Sequence, residues 1–389
     1  MANNFLKVLL KIKNMMMEAV LGVDRNGERN KKESETIIQM LHEPKDLIDR
    51  SYCQYICQKK RYNAILYRCS FAIMNIVAFI PLIVFLIFIH NKTDNFKKVE
   101  DEKWLACLQS KEIEDRIPQS ILSKYHIIYS ANDGLQLSKK EKALVLKIWA
   151  RHPFSIFFVF KCALKIALYN GIINTNHIQG IVATSEDSYT SSVLTEYCRS
   201  RNIVHINVMH GEITFSLART FFEFDRCYVW DNHYMNLCIN KLRASRSQFV
   251  IEKPKCLLYE DKYKIKTKVK YYLQNQTEEQ MQAIKGLLDS LKVDYKVRPH
   301  PRFTKINYVQ EIYDNDHIED WKNIGIERSI MESEILIAWD STTLYQGYLN
   351  GKKVVIDDIS NIERFNYLKA ADYIMLNKPN VFKLSQLSL

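Results

Sequence analysis

From Trp104 onward, short apolar runs alternate with longer stretches whose apolar positions recur every three or four residues. The short runs are KWLACLQ, YHIIYS, IQGIVAT, IVHINVM, RCYVW and QFVIEK, then KVKYYLQ, DYKVRP, EILIAWD, KKVVIDD and DYIML. Between them lie helical patterns: KKEKALVLKIWA, PFSIFFVFKCALKIALYNG, YTSSVLTEYCRSR, TEEQMQAIKGLLDSL, IERSIMES and STTLYQGYLNG. Such alternation predicts βαβ units and parallel sheets. Thr277, followed by Glu and Gln in the first turn, signals a helix start. The polar, uneven stretch 253–268 reads as a linker, so two doubly wound α/β domains are expected, residues 99–252 and 269–389. In such a pair the strand ends face each other across a ligand-binding cleft.

The region before them is different. Residues 1–68 show helical, amphipathic spacing, as in NNFLKVLLKIKNMMMEAVLG with lysines between apolar positions. Residues 71–89, FAIMNIVAFIPLIVFLIFI, carry no charge and are long enough to cross a bilayer. Their central Pro81 is compatible with a kinked span, a re-entrant hairpin or a buried core helix. The flanking cations are balanced, so they set no orientation. Residues 1–98 are expected to be a helical, membrane-associated appendage.

Charge and cysteine usage add two constraints. The 389 residues carry 55 Lys and Arg against 44 Asp and Glu, a net +11 without a long basic block, which suits a phosphate-bearing ligand or an acidic membrane surface. The basic residues are not grouped with stacking aromatics in a nucleic-acid module, so no nucleic-acid partner is expected. Nine cysteines lack zinc spacing and read as reduced thiols of a cytosolic setting. No GxGxxG or P-loop pattern is present, and no DxD ends a strand, so neither a cofactor nor a metal is expected.

Three motifs carry chemistry. His210-Gly211-Glu212 follows an apolar strand and sets two proton carriers at its tip. Arg298-Pro299-His300-Pro301-Arg302 holds a histidine between prolines, with arginines able to bond phosphate. Asp340-Ser341-Thr342-Thr343 places hydroxyls at a helix start, where unpaired N–H groups and the helix dipole favour an anion. Two acidic loops, around Asp133 and Glu186, compete with His210 and Glu212 for the base role. The layout is that of a transferase: Arg298, His300, Ser341 and Thr342 hold a nucleotide donor, while an acid or His210 faces an acceptor.

The order of these motifs resembles bacterial two-domain GT-B glycosyltransferases with cytidine-nucleotide donors, over roughly residues 104–380. Two groups are similar: the capsular and lipooligosaccharide sialyltransferases and polysialyltransferases, and the teichoic-acid glycerophosphotransferases. The first implies that His300, Pro301, Ser341, Thr342 and Thr343 bind CMP and that an acid is the base, for which Asp133 in Asn-Asp-Gly, Glu186 and Glu212 are candidates. The second implies His210 as base, Arg298, His300 and Pro301 at the donor, and CDP-glycerol or CDP-ribitol as donor. The expectation is an inverting, metal-independent transfer of sialic acid from CMP-sialic acid to a saccharide acceptor, often lipid-linked in such enzymes. The product would be a surface polysaccharide such as O-antigen, capsule or lipooligosaccharide, made in the bacterial cytoplasm at the inner membrane. The alternatives are a CDP-polyol phosphate transferase and a non-catalytic, membrane-bound saccharide-binding or assembly protein.

Overall fold

The computed structural model describes residues 29–63, 65–90, 103–131, 134–260 and 262–387. They form two compact units, one of residues 29–209 and 215–252, the other of residues 210–214 and 253–387. The short segment His210–Thr214 thus belongs to the second unit although the chain on both sides of it belongs to the first.

The first unit opens with four helices, α1 (Lys31–Gln39), α2 (Leu47–Lys59), α3 (Ile65–Val77) and α4 (Phe79–Phe88). Asn30 and Asp46 cap the first two through side chains that accept from Glu33 N and Asp49 N. A six-stranded parallel sheet follows, built of β1 (Trp104–Cys107), β2 (His126–Tyr129), β3 (Gly180–Ala183), β4 (Val204–Val208), β5 (Arg226–Val229) and β6 (Phe249–Ile251). The strand order is β2-β1-β3-β4-β5-β6. The intervening helices include α5 (Lys139–Arg151), α6 (Ile156–Asn176) and α7 (Ser191–Ser200). Gly180 is needed in β3 because a Cβ there would lie 2.8 Å from both Leu105 Cδ2 and the Val204 carbonyl oxygen.

The N-terminal helices are not a separate appendage over their described residues. Tyr55, Tyr67, Phe71, Leu82 and Phe85 share one core with Phe158, Ile166 and Tyr169 of α6 and its surroundings. Gln54 is fully buried and donates to the carbonyls of Glu186 and Ala218. A side chain committed in this way ties α2 to the sheet loops, since a buried amide without partners would be strongly unfavourable. The amphipathic pattern at residues 1–28 lies outside the described residues.

The apolar segment is neither wholly buried nor folded back on itself. Tyr67–Phe88 is one continuous helix of 22 residues, and the bonds Ala78 N to Met74 O and Leu82 N to Ala78 O, both 2.9 Å, carry it past Pro81. One face packs on α6, with Phe71 against Phe157 and Phe85 against Phe160, while the other is exposed.

The second unit holds β7 (Thr267–Tyr272), β8 (Tyr295–Arg298), β9 (Ser333–Ala338), β10 (Lys353–Ile356) and β11 (Val381–Lys383), all parallel, in the order β11-β10-β9-β7-β8. Helices α8 (Glu278–Ser290), α9 (Thr342–Leu349) and α10 (Ile362–Ala370) are among its crossovers. Thr277 and Gln280 form the reciprocal capping box of α8. The structure departs from the sequence expectation at DYIML. Asp372 takes a left-handed φ of 54°, and Ile374–Asn377 forms a 3-10 turn rather than a strand. The residue run is apolar because Tyr373, Ile374 and Met375 are buried, and burial alone does not pair a backbone.

Candidate functional site

Both sheets have a topological switch point, where the strand order reverses and a crevice opens beyond the C-terminal strand ends. In the second unit it lies between β7 and β9. The residues just past those ends are Gln274 and Asp340-Ser341. Gln274 spans the gap, its Nε2 donating to the Asp340 carbonyl, while its own carbonyl accepts from Thr304 Oγ1 at 2.6 Å. Thr304 Oγ1 in turn accepts from His300 N at 2.8 Å. One chain of bonds therefore joins the histidine loop to the Asp-Ser-Thr-Thr loop. No motif marked Gln274. Its position directly after the strand KVKYYL was the available signal.

His300 is half-buried, and its ring stacks on Phe303 with centroids 4.5 Å apart. Nδ1 accepts from Arg302 N at 3.1 Å, which leaves the proton of the neutral ring on Nε2. Burial, and secondarily the Arg302 guanidinium, lower its pKa below the usual 6.5. A neutral imidazole that donates from Nε2 suits a phosphate oxygen. Pro301 and Arg302 are exposed beside it.

Ser341 caps α9, its Oγ accepting from Thr343 N at 3.2 Å, and its own N–H donates to Tyr373 Oη at 3.3 Å. Gly347 sits so close to Leu336 that a Cβ would collide with it, so this glycine lets α9 lie directly on β9. Asp340 is held by a two-pronged ion pair with Arg364, one arm of 3.0 Å from Nε to Oδ1. Its charge is thereby directed to Arg364 rather than to the cap.

The His210–Thr214 segment joins this cluster. A Cβ added at Gly211 would lie 3.8 Å from Thr342 Oγ1, so the backbone passes directly over the start of α9. Glu212 is tucked in beside Tyr373 and Asp340. Burial, then the nearby Asp340 charge, push its carboxyl well above the ordinary 4.5, against a hydrogen bond from Tyr373 that acts the other way. Its Oε1 is inaccessible and has no hydrogen-bond partner. His210 is exposed at the same turn. The second unit thus brings together His210, Glu212, His300, Ser341, Thr342 and Thr343.

Arg298 does not join them. Its guanidinium is turned into the unit, bonded to Glu319 and, at 2.9 Å, to the Ile324 carbonyl, in a buried network that includes Lys270 and Ser329. Taking Arg298 from that network to bind phosphate would leave the buried Glu319 with Lys270 as its remaining cation. Sequence spacing could not reveal this, because the partner is 21 residues away.

Glu186 is also placed elsewhere. It is 1% exposed in the first unit, where Oε2 accepts from Asn207 Nδ2 at 3.3 Å. Asp133 lies outside the described residues. The first unit's switch point, between β1 and β3, opens instead into a cavity of 460 Å³ whose lining includes Gln109, Ser130, Lys165, Tyr169, Thr184 and Ser188. Gln109 Nε2 donates to Thr184 Oγ1 across it at 2.9 Å.

None of the nine cysteines pairs in a disulfide. Among the described residues, the group with ligand atoms close enough for one metal ion is His42, Asp49 and Cys53, within 4.8 Å of one another. His42 Nε2 and Asp49 Oδ2 are already 2.8 Å apart as a surface pair.

No protein-family model matches the chain, and no curated protein matches it. Solved structures similar to it include the glycotransferase of kitacinnamycin, 8% identical over 74% of this chain and 88% of that one, with a TM-score of 0.45. The UDP-GlcNAc 2-epimerase of Methanocaldococcus jannaschii is 11% identical over 72% of this chain and 94% of that one, at 0.39. A variant of the wall teichoic acid polymerase TagF is 10% identical over 68% of this chain and 72% of that one, at 0.38.

Proposed function

We propose that this protein is a GT-B transferase that moves sialic acid from CMP-sialic acid to a saccharide hydroxyl. The observation that carries the reading is the meeting of three loops at the β7/β9 switch point. They supply a neutral histidine donating from Nε2, a capped helix N-terminus and a His-Gly-Glu turn. His300 Nε2–H and the N–H groups at the start of α9 stabilise the departing phosphate, whose charge grows as the bond breaks. A base removes the acceptor proton, and the freed oxygen attacks the anomeric carbon from the face opposite the nucleotide. CMP leaves with the bonding electrons, and the configuration inverts. Of the described candidate bases His210 is the exposed one and takes the role here, in place of the acid that the sialyltransferase resemblance implies. Glu212, with its raised pKa, holds a proton beside it and steadies the turn. The first unit, with its polar switch-point cavity and Lys165, is the acceptor domain.

The exposure of His210, against a half-buried Glu212 whose Oε1 is inaccessible and a buried Glu186, favours a second reading. A histidine base is what the teichoic-acid resemblance implies, and the donor would then be CDP-glycerol or CDP-ribitol, with CMP again the leaving group. Incubating purified protein separately with CMP-sialic acid, each CDP-polyol, and UDP- and GDP-sugars, and following nucleotide release, decides between them. CMP release from CMP-sialic acid is the expected result. Release from a CDP-polyol selects the second reading, and turnover of a UDP-sugar alone overturns both.

A further inference from the structure

The 22-residue helix Tyr67–Phe88 presents a continuous apolar strip to the outside. Cys69, Ile73, Ile76, Ile80, Val84 and Ile87 are all exposed and recur at three- and four-residue intervals. Ile76 is 77% exposed, Ile80 70% and Phe88 71%. Unmixed apolar strips of this length seldom remain uncovered on a protein surface. The opposite face is fixed along its length to the first unit, through Phe71, Leu82 and Phe85 in the core and through Asn75, whose Oδ1 accepts from Phe157 N at 2.9 Å. A helix held in this way cannot be ringed by lipid, because the folded unit occupies one of its sides. It can lie in the plane of a membrane surface.

The surroundings of the strip say what covers it. Helix α5 runs alongside: Trp149 meets Phe79 edge-on with centroids 6.2 Å apart, and Lys142 Nζ is 3.3 Å from His90 Nδ1 at the far end. That helix exposes Lys139, Lys140 and Lys147, and the turn beyond it exposes Phe154 at 92%. Lys60 and Arg68 are exposed at the helix start. Between Arg68 and His90 no charged residue interrupts the sequence. A second copy of the chain would bring these cations against each other, whereas anionic headgroups would neutralise them while acyl chains received the isoleucines.

From this geometry we infer that the outer face of Tyr67–Phe88, rimmed by the α5 lysines, is a membrane-docking surface that lies in the interface of an anionic bilayer without crossing it. Docking needs neither donor nor acceptor, so its failure and that of the proposed transfer are separable. The test is flotation of the full chain with vesicles of phosphatidylcholine alone and with added phosphatidylglycerol, at low and high salt. The expected result is binding to the anionic vesicles, weakened by salt. The triple substitution Ile76→Glu, Ile80→Glu, Ile87→Glu should weaken it about ten-fold or more, with circular dichroism and oligomeric state unchanged. Should that variant misfold, Ile80→Trp provides a second readout: its fluorescence should shift to the blue on anionic vesicles and be quenched by lipids brominated in the upper acyl chain. Absence of vesicle binding, undiminished binding by a folded triple variant, or a dimer that the triple substitution dissociates would each overturn the inference.

Discussion

Gln109 and Gln274 occupy the same place in two sheets. Each follows the first strand of its sheet, next to the edge at a switch point, and bridges to the neighbouring loop, Gln109 to the Thr184 hydroxyl and Gln274 to the Asp340 carbonyl. The order β2-β1-β3-β4-β5 in one sheet is matched by β8-β7-β9-β10-β11 in the other. Topology therefore puts a crevice in each unit at the same position. The loops then make the two crevices chemically unlike. The first is an open, largely neutral cavity with one lysine in its lining. The second has a positive helix end, a histidine of depressed pKa and a carboxyl of raised pKa, tied together by hydrogen bonds. The common architecture says where a ligand sits, and only the loops say which ligand.

The strongest way to break this contrast is to remove the histidines of the second crevice. His210→Ala and His300→Ala should each lower CMP release about 10²-fold or more, while Thr184→Val in the first crevice should change the acceptor KM by less than about ten-fold. Steady-state kinetics of folded variants check this, and equal losses at both crevices would remove the distinction.

A second test separates the two arginines of the proline loop. Arg298→Ala should destabilise the second unit by about 3–5 kcal/mol, because Glu319 is left in a buried network without one of its cations. Arg302→Ala should leave stability within about 0.5 kcal/mol and raise the donor KM. Urea unfolding and initial rates distinguish them, and a stable, weakly binding Arg298 variant would return that residue to the phosphate.

The bridging glutamines allow a smaller, matched comparison. Gln274→Ala breaks the link between the histidine loop and α9 and should cut kcat about ten-fold. Gln109→Ala removes the bond to Thr184 and a weak one from Cys107 Sγ and should lower stability by about 1 kcal/mol, with little change in kcat.

The smallest effect concerns Glu212. The folded pKa is raised, so its contribution is intact below the ordinary 4.5 and is lost as pH rises from there through the folded value, because the unfolded chain releases the proton first. Glu212→Gln should remove this slope. The variant should gain in Tm over the parent between pH 5 and 8 by about 2–4 °C, and the two should converge near pH 4. A parallel pair of Tm–pH curves would show that the carboxyl is not held protonated.

Much of the fold is legible in the sequence. The spacing of KWLACLQ, IQGIVAT and IVHINVM, and again of KVKYYLQ and EILIAWD, reflects strands buried on both faces, which are mostly apolar, with buried polar residues such as His205, Asn207 and Lys270 each hydrogen-bonded. The His300 and Ser341 motifs stood out because prolines and a Ser-Thr-Thr start constrain the local backbone. The fate of Arg298, Glu186 and DYIML was not legible. Each depends on a partner, or the lack of one, distant in sequence: Glu319 for Arg298, Asn207 for Glu186, and no pairing strand for residues 372–376. Likewise, the hydropathy of residues 71–89 established an apolar helix, while the packing of Phe71 and Phe85 on α6 decided that half of it faces inward. The sequence by itself determined periodicity, local capping and the chemical types available, because these act over one or two turns of chain. Tertiary structure decided which charges are neutralised in the interior and which side chains meet at a strand end, because burial and pairing depend on segments that only folding brings together.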